Sequence, residues 1–247
     1  MYVGRVTKAR EFTKEAIESA IRADSKENAA VWRENTALGE AAYGNISRAR
    51  QEAAAGLKLT PESQAVESEA ALAFAIAGDQ AQAGSLVRDL NKRFPLDTQI
   101  QSIWLPARNT KLALNRKNPI NELGLSASDR KVEFGLIPFI NPVSCLYSVY
   151  IRGEVYLASG DGRTAAAEFK SILDHSGTVW NCWTGALAHL GVARANALQA
   201  RTSQGADADA ARARALAAYK DFLTLWKDAD PDIPILKQAK AEYAKLK

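Results

Sequence analysis

The residues from which chemistry would have to be built are few: two histidines, two cysteines and one acidic glycine turn. His175 in FKSILDHSG and His189 in GALAHLG stand apart. A hydrolytic centre needs a nucleophile within hydrogen-bond reach of a base, and a metal centre needs three or four converging ligands. His189 falls inside a helical stretch and reads as a packed or surface side chain. Cys145 and Cys182 form neither the short pairs of a zinc site nor the framework of a small disulfide domain. They read as two buried free thiols, with a single bridge between them open if the compartment is oxidising. Asp161 lies in Gly160-Asp161-Gly162, but the alternating carboxylates of a calcium loop do not follow, so a helix cap is the expectation. There is no Gly-x-Ser-x-Gly elbow, no Walker loop, and no set of kinase motifs. The reading is a non-enzyme with no catalytic residue, no cofactor-binding residue and no metal ligand.

What remains is recognition. Trp104, Arg108, Lys111 and Asn115 recur at helical spacing in a segment with no acid between Asp97 and Glu122. An aromatic shelf beside two cations could hold an acidic or phosphorylated peptide. The competing reading puts Trp104 in the core and leaves two solvated cations. Tyr147, Tyr150 and Glu154 form a second candidate patch, again set against ordinary packing. The alternating lysines and carboxylates of AREFTKEAIE and KQAKAEYAK read as solvated helix faces.

The totals narrow the partners. Of 247 residues, 47% are apolar, enough for a real core, and the net charge of +4 is spread along the chain. Nucleic-acid binders concentrate their positive charge, so no nucleic acid is expected. No apolar run approaches the roughly 18 residues of a membrane span, and MYVGRVTKAREF lacks a signal peptide's apolar core, so membrane insertion by this chain is not expected either. A soluble protein with a protein or peptide partner is the remaining class.

The elements that must position these residues are helices. Ala, Leu, Glu, Lys, Arg and Gln dominate nearly every segment, period-two runs of β-branched residues are lacking, and breaks fall at Gly44-Asn45, Thr60-Pro61, Gly78-Asp79, Phe94-Pro95, Asn118-Pro119, Gly160-Asp161-Gly162 and Asp230-Pro231. Gly44 and Gly78, Ala49 and Ala83, and Pro61 and Pro95 are each 34 residues apart. A glycine past a helix end supplies the left-handed residue that closes it, and the Asn or Asp behind it can cap the next helix. A small residue one turn into that helix lets the pair approach closely, and the proline ends it.

This pattern resembles the tetratricopeptide repeat, a helix-turn-helix unit of 34 residues. The clearest copy sets Gly153, Tyr156, Ala165, Phe169 and Ile172 in register, and a second sets Ala71, Phe74, Ala83, Val87, Leu90 and Pro95. The resemblance implies an all-α fold, a right-handed α-solenoid in one domain over 1–247. Its approximate repeats are 1–29 (partial), 30–63, 64–97, 103–135 (degenerate, with Glu122 and Ser126 where small and aromatic residues belong), 146–179 and 186–231. The polar stretch 201–210 is expected as an inserted surface loop, with Ala215, Tyr219 and Phe222 kept in the helix beyond it. A capping helix comes last, over 233–247, with Ile235, Leu236, Ala239, Tyr243 and Leu246 on one face. Gly4 and Ala9 match Gly44 and Ala49, so the first helix reads as the second half of a repeat whose partner would precede Met1, a sign of a fragment; otherwise its apolar face is left uncovered.

A closer resemblance rests on YVGRVTKAREFTKEAIESAIRAD, LNKRFPLDTQIQSIWLP, YIRGEVYLASGDG, FKSILDH and DFLTLWKDADPDIPILKQAKAEYAKL. These look like the C-terminal repeat region of acidobacterial eukaryotic-like serine/threonine protein kinases. Related tails are also attached to winged-helix transcriptional regulators. The resemblance implies a non-catalytic scaffold in the cytoplasm, or outside it if a parent kinase carries a membrane span before this region. The two tryptophans of SGTVWNCWTG have no place in the repeat.

Overall fold

In the computed structural model, residues 1–115, 133–134 and 145–247 are described. Among them every regular element is a helix. The packing gathers into two compact units, one running from Arg5 through the sixth helix, the other made of the later helices together with Met1–Gly4.

The first unit contains α1 (Val6–Arg22), α2 (Lys26–Tyr43), α3 (Ile46–Leu59), α4 (Gln64–Ile76), α5 (Gln80–Arg93) and α6 (Leu105–Asn115). Each packs on its sequence neighbours, and α4 is flanked by α2, α3, α5 and α6. Its sequence QAVESEAALAFAI suits that place, because small apolar residues line every side of it, and Ala65 to Ala75 are all buried. The turns obey the expected chemistry. Gly44 and Gly78 take φ of 90° and 73°, the left-handed region where a side chain is strained. Behind Gly78, the Asp79 carboxylate accepts from the Gln82 N–H at 3.2 Å. Asn45 does not cap; its amide donates to Glu40 at 2.7 Å. Ala49 and Ala83 have no exposed surface, as helix contact points require, and α3 and α5 stop before Pro61 and Pro95. In the first helix Ala9 stays half-buried, and Phe12 and Ile21 stand exposed. A π-helical turn, Ile100–Trp104, precedes α6, with the Leu105 N–H reaching the Ile100 carbonyl just before Pro106. Proline has no N–H for the regular ladder, and the widened turn accommodates it.

The second unit contains α7 (Tyr147–Ala158), α8 (Gly162–Asp174), the single turn α9 (Ser176–Val179), α10 (Trp183–Thr202), α11 (Gly205–Leu225) and α12 (Pro234–Leu246). Again neighbours pack in series: α7 on α8, both on α10, α10 on α11 and α11 on α12. Gly160 takes φ of 86°, and Asp161 caps α8 through the Thr164 N–H at 2.9 Å, so the cap reading of the Gly-Asp-Gly turn holds. Phe169 is held between two glycines. A Cβ on Gly153 of α7 would lie 2.7 Å from its ring, and one on Gly191 of α10 would lie 2.5 Å from it. Only a bare backbone admits the ring at both sites.

Two expectations are corrected. The stretch 201–210 is not a loop: α10 runs to Thr202 and α11 starts at Gly205, so the extra residues lengthen both arms of a helical hairpin. GADADAARARA is alanine-rich, and the helical propensity of alanine outweighs the polarity that suggested a loop. Nor are the cysteines free thiols: Cys145 and Cys182 form a disulfide across a sequence separation of 37, with Cα atoms 5.6 Å apart. The stacking of α7 and α10 brings their starts together, a proximity that spacing in the chain does not reveal. The stretch from 116 to 132, with Asn118, Glu122 and Ser126 of the degenerate repeat, lies outside the described residues.

At the N-terminus, Met1–Gly4 pack against the end of α11. The Trp226 indole N–H donates to the Tyr2 carbonyl at 2.9 Å, and the Asp230 N–H donates to the Gly4 carbonyl at 3.0 Å. Gly4 has φ of 73° and abuts Trp226 and Ala229, which leaves no space for a side chain. The capping helix α12 buries Leu236 and Ala239 on the face expected for it, with Ile235, Tyr243 and Leu246 half-buried beside them.

Candidate interaction surface

The first expected stripe is interior. Arg108 has no exposed surface; its Nε donates to the Ser68 carbonyl at 2.7 Å and its Nη1 to the Trp104 carbonyl at 2.9 Å. The guanidinium lies over the Trp104 ring, 4.6 Å from its centroid. Lys111 is buried too, while Trp104 is half-buried. Both readings of this stripe place its cations in water, and both are corrected for Arg108 and Lys111. Arg108 lies on the face of α6 turned toward α4, where it meets the Ser68 carbonyl. The side chain of Asn115, at the end of α6, lies outside the described residues.

The second patch divides. Tyr147 and Tyr150 are buried and pack on Trp183, with ring centroids 5.7 and 5.0 Å away, and Tyr150 also meets Phe169 edge-on at 5.3 Å. Burial raises the Tyr150 hydroxyl far above the usual tyrosine range, with Glu154 adding to the effect. Trp183, unexplained by the repeat, is therefore a core residue joining α10 to α7. Glu154 is half-buried on α7.

Two carboxyls raised above their usual range lie inside the packing. Glu34 is fully buried on α2, and among the described residues neither carboxyl oxygen has a hydrogen-bond partner. Burial first, then Glu69 and Glu52, raise its pKa well above the usual carboxylate range. Glu69 on α4 is raised to about 7 by burial, with Arg108 pulling the other way. His189, half-buried in α10, is lowered by burial. The His175 ring meets Phe134 at 4.4 Å, and its Nδ1 lies 2.7 Å from the Ser171 carbonyl. Among the described residues no group of His, Cys, Asp and Glu is placed to hold a metal ion.

An accessible recess exists away from both expected patches. A cleft of about 520 Å³ opens between α1, α2 and α3, with Ile17, Ile21, Thr13 and Thr36 among its lining. Its charged wall is an alternating chain. Arg10 grips the buried Glu40 with both ends of its guanidinium, at 2.6 and 2.8 Å. Arg48 lies 3.4 Å from Glu40 and 3.4 Å from Glu52, and Arg33 meets Glu52 at 2.8 Å. Arg10 thus leaves the solvated face assigned to AREFTKEAIE, whereas Glu11, paired with the preceding Lys8, and the Lys14–Glu18 pair stay on it. Glu242 of KQAKAEYAK likewise turns inward, taking Arg194 at 2.9 Å and the Tyr219 hydroxyl at 3.0 Å. Glu40 lies 30 positions from Arg10 and Glu242 lies 48 from Arg194, so no local pattern announces these pairs.

No family model matches the chain, and no curated protein and no solved structure matches it either. No described helix is long and apolar enough to cross a membrane.

Proposed function

We propose that this chain is a non-catalytic protein-interaction module, a right-handed α-solenoid of tetratricopeptide-like helix pairs closed by α12. The observation that carries the reading is serial packing: in each unit a helix leans on the neighbours before and after it, joined by left-handed glycine turns at Gly44, Gly78 and Gly160. Stacks of this kind bury one continuous core and leave grooves that peptides use. The non-catalytic part rests on the sequence, in which the hydrolase elbow, the Walker loop and the set of kinase motifs are lacking.

The docking position best supported is the cleft between α1, α2 and α3, which joins an apolar floor to cations and carboxylates in alternation. Such a lining suits a peptide with apolar anchors flanked by charges of both signs. The wider setting we propose is the substrate-recruiting or regulatory tail of a bacterial serine/threonine kinase, on the strength of DFLTLWKDADPDIPILKQAKAEYAKL. A tail on a winged-helix transcriptional regulator is the alternative, and the coding sequence upstream separates the two. The direct test is affinity isolation from the native host with the wild-type chain and with Ile21→Asp/Lys14→Glu. A specific protein lost with the variant, whose helix content is unchanged by circular dichroism, is expected. Equal recovery with both chains overturns the docking position, and recovery of nothing specific overturns the module.

A further inference from the structure

The disulfide sits at an unusual place in the second unit. Cys182 is the N-cap of α10, a helix of 20 residues, and Cys145 lies two positions before α7. Among the described residues three that are not glycine have positive φ: Asp24, Leu146 and Trp180. Leu146, at 47°, directly follows Cys145, and Trp180, at 49°, is two positions before Cys182. Both ends of the bridge therefore adjoin backbone that L-residues seldom adopt, a state that persists only where surrounding structure holds it. Trp180 is also 68% exposed, against the expectation for a large aromatic. The connection carrying it is held by local backbone bonds, among them the Cys182 N–H to the Val179 carbonyl at 3.0 Å and the Trp180 N–H to the Ser176 carbonyl at 2.9 Å. Just beyond, Tyr2 rests against Gly185, where a Cβ would lie 3.2 Å from its ring and 3.2 Å from Val179.

The two sulfurs are not equivalent. Cys145 is half-buried and Cys182 is buried, so an incoming thiolate reaches Cys145 first. Attack there releases the Cys182 sulfur as a thiolate at the N-terminus of a long helix, where the helix dipole stabilises negative charge. A stabilised leaving thiolate speeds exchange and favours the reduced form. We propose that the Cys145–Cys182 bridge is a reversible redox latch on the α8–α10 connection, opened by a thiol reductant at Cys145 with Cys182 as the leaving group, and that it sets the conformation of the exposed Trp180.

The chemistry balances with a thiol donor alone. The donor thiolate forms a bond to the Cys145 sulfur as the bridge breaks, and Cys182 takes up a proton. A second donor thiol then displaces Cys145 and leaves the donor oxidised to its own disulfide, so two electrons and two protons pass to the protein. With the bridge closed the Thr184 hydroxyl donates to the Cys145 carbonyl at 2.6 Å and Trp183 packs on Tyr147 and Tyr150, and none of these contacts runs through the sulfurs. The opened state is accordingly a loosened native fold, not an unfolded one.

The test uses the full chain purified in air. Intact mass should be two hydrogens below the reduced value, and dithiothreitol in native buffer should open the bridge with a change in tryptophan emission and unchanged helix content. Closing a loop of 37 residues constrains the unfolded chain enough that the Tm should fall by roughly 10 °C on reduction. The Cys145→Ser/Cys182→Ser variant should match the reduced protein and ignore the reductant. With reduced glutathione, then rapid alkylation, glutathione should be trapped on Cys145 and the alkyl group on Cys182. A free-thiol mass, resistance to reduction until the protein unfolds, or glutathione mainly on Cys182 would each overturn the proposal.

Discussion

Arg152 in the second unit and Glu34 in the first are both buried ionisable side chains, and they are treated in opposite ways. Arg152 on α7 is enclosed by two carboxylates. Its Nη1 donates to Glu133 at 2.5 Å, and its Nη2 and Nε donate to Glu168 on α8 at 3.0 and 3.3 Å. Burial acts to lower its pKa, but the hydrogen bonds and charges of Glu133 and Glu168 outweigh that and raise it. Glu34 on α2 meets no hydrogen-bond donor at its carboxyl among the described residues, and it fits only because Gly56 of α3 has no side chain to meet its Oε1. The cost of desolvation is offset by pairing at the first site, whereas at the second burial pushes the carboxyl toward its neutral form. The lesson is that burial alone does not decide whether a charge survives folding; the partners delivered by the neighbouring helix do.

Removing the cation should break that comparison most strongly. Arg152→Met leaves Glu133 and Glu168 buried without it and should cost about 3–5 kcal/mol in denaturant unfolding. Adding Glu168→Gln should restore part of the loss. Next comes pH. Glu69 has its folded pKa raised to about 7 from 4.5, so the folded state holds a proton that the unfolded chain has released. Stability from this group is fully present below pH 4.5 and is lost as pH rises to about 7, amounting to about 3 kcal/mol. The stability difference between the wild type and Glu69→Gln, measured by urea titration across that window, should move against the wild type as pH rises. Glu34→Gln should act in the same direction. A flat difference in both would mean that these carboxyls are solvated or paired.

Steric predictions are smaller. Gly191→Ala pushes a methyl group into the Phe169 ring and should cost about 1–3 kcal/mol, with the loss reduced in a Phe169→Leu background. Asp161→Ala removes the cap of α8 and should cost about 1 kcal/mol at neutral pH. Because hydrogen bonds from Thr164 hold the Asp161 pKa below its usual value, that difference should vanish as pH falls through the acid range.

Much of this architecture is legible in the chain. Glycine, cap and proline set the turns at Gly78-Asp79 and Gly160-Asp161, and the buried Ala49, Ala83 and Ala165 are explained by their place one turn into the second helix. Helix type in 201–210 is hidden because its polar residues mask the propensity of its alanines. The surface is far less legible, for a physical reason. Arg108, Tyr147 and Tyr150 share helical faces with other polar or aromatic residues, but which face meets the neighbouring helix depends on register between helices. The same holds for Arg10 with Glu40, and for the disulfide. Periodicity gives the stripe; only packing says whether water or protein lies against it.

The serial stacking on which the proposed function rests is tested most directly by nuclear Overhauser contacts from the Phe169 ring. Strong contacts to the Hα protons of both Gly153 and Gly191 are expected, since the ring lies between α7 and α10. Contacts to one glycine alone, or to neither, would contradict the stacking of consecutive helix pairs.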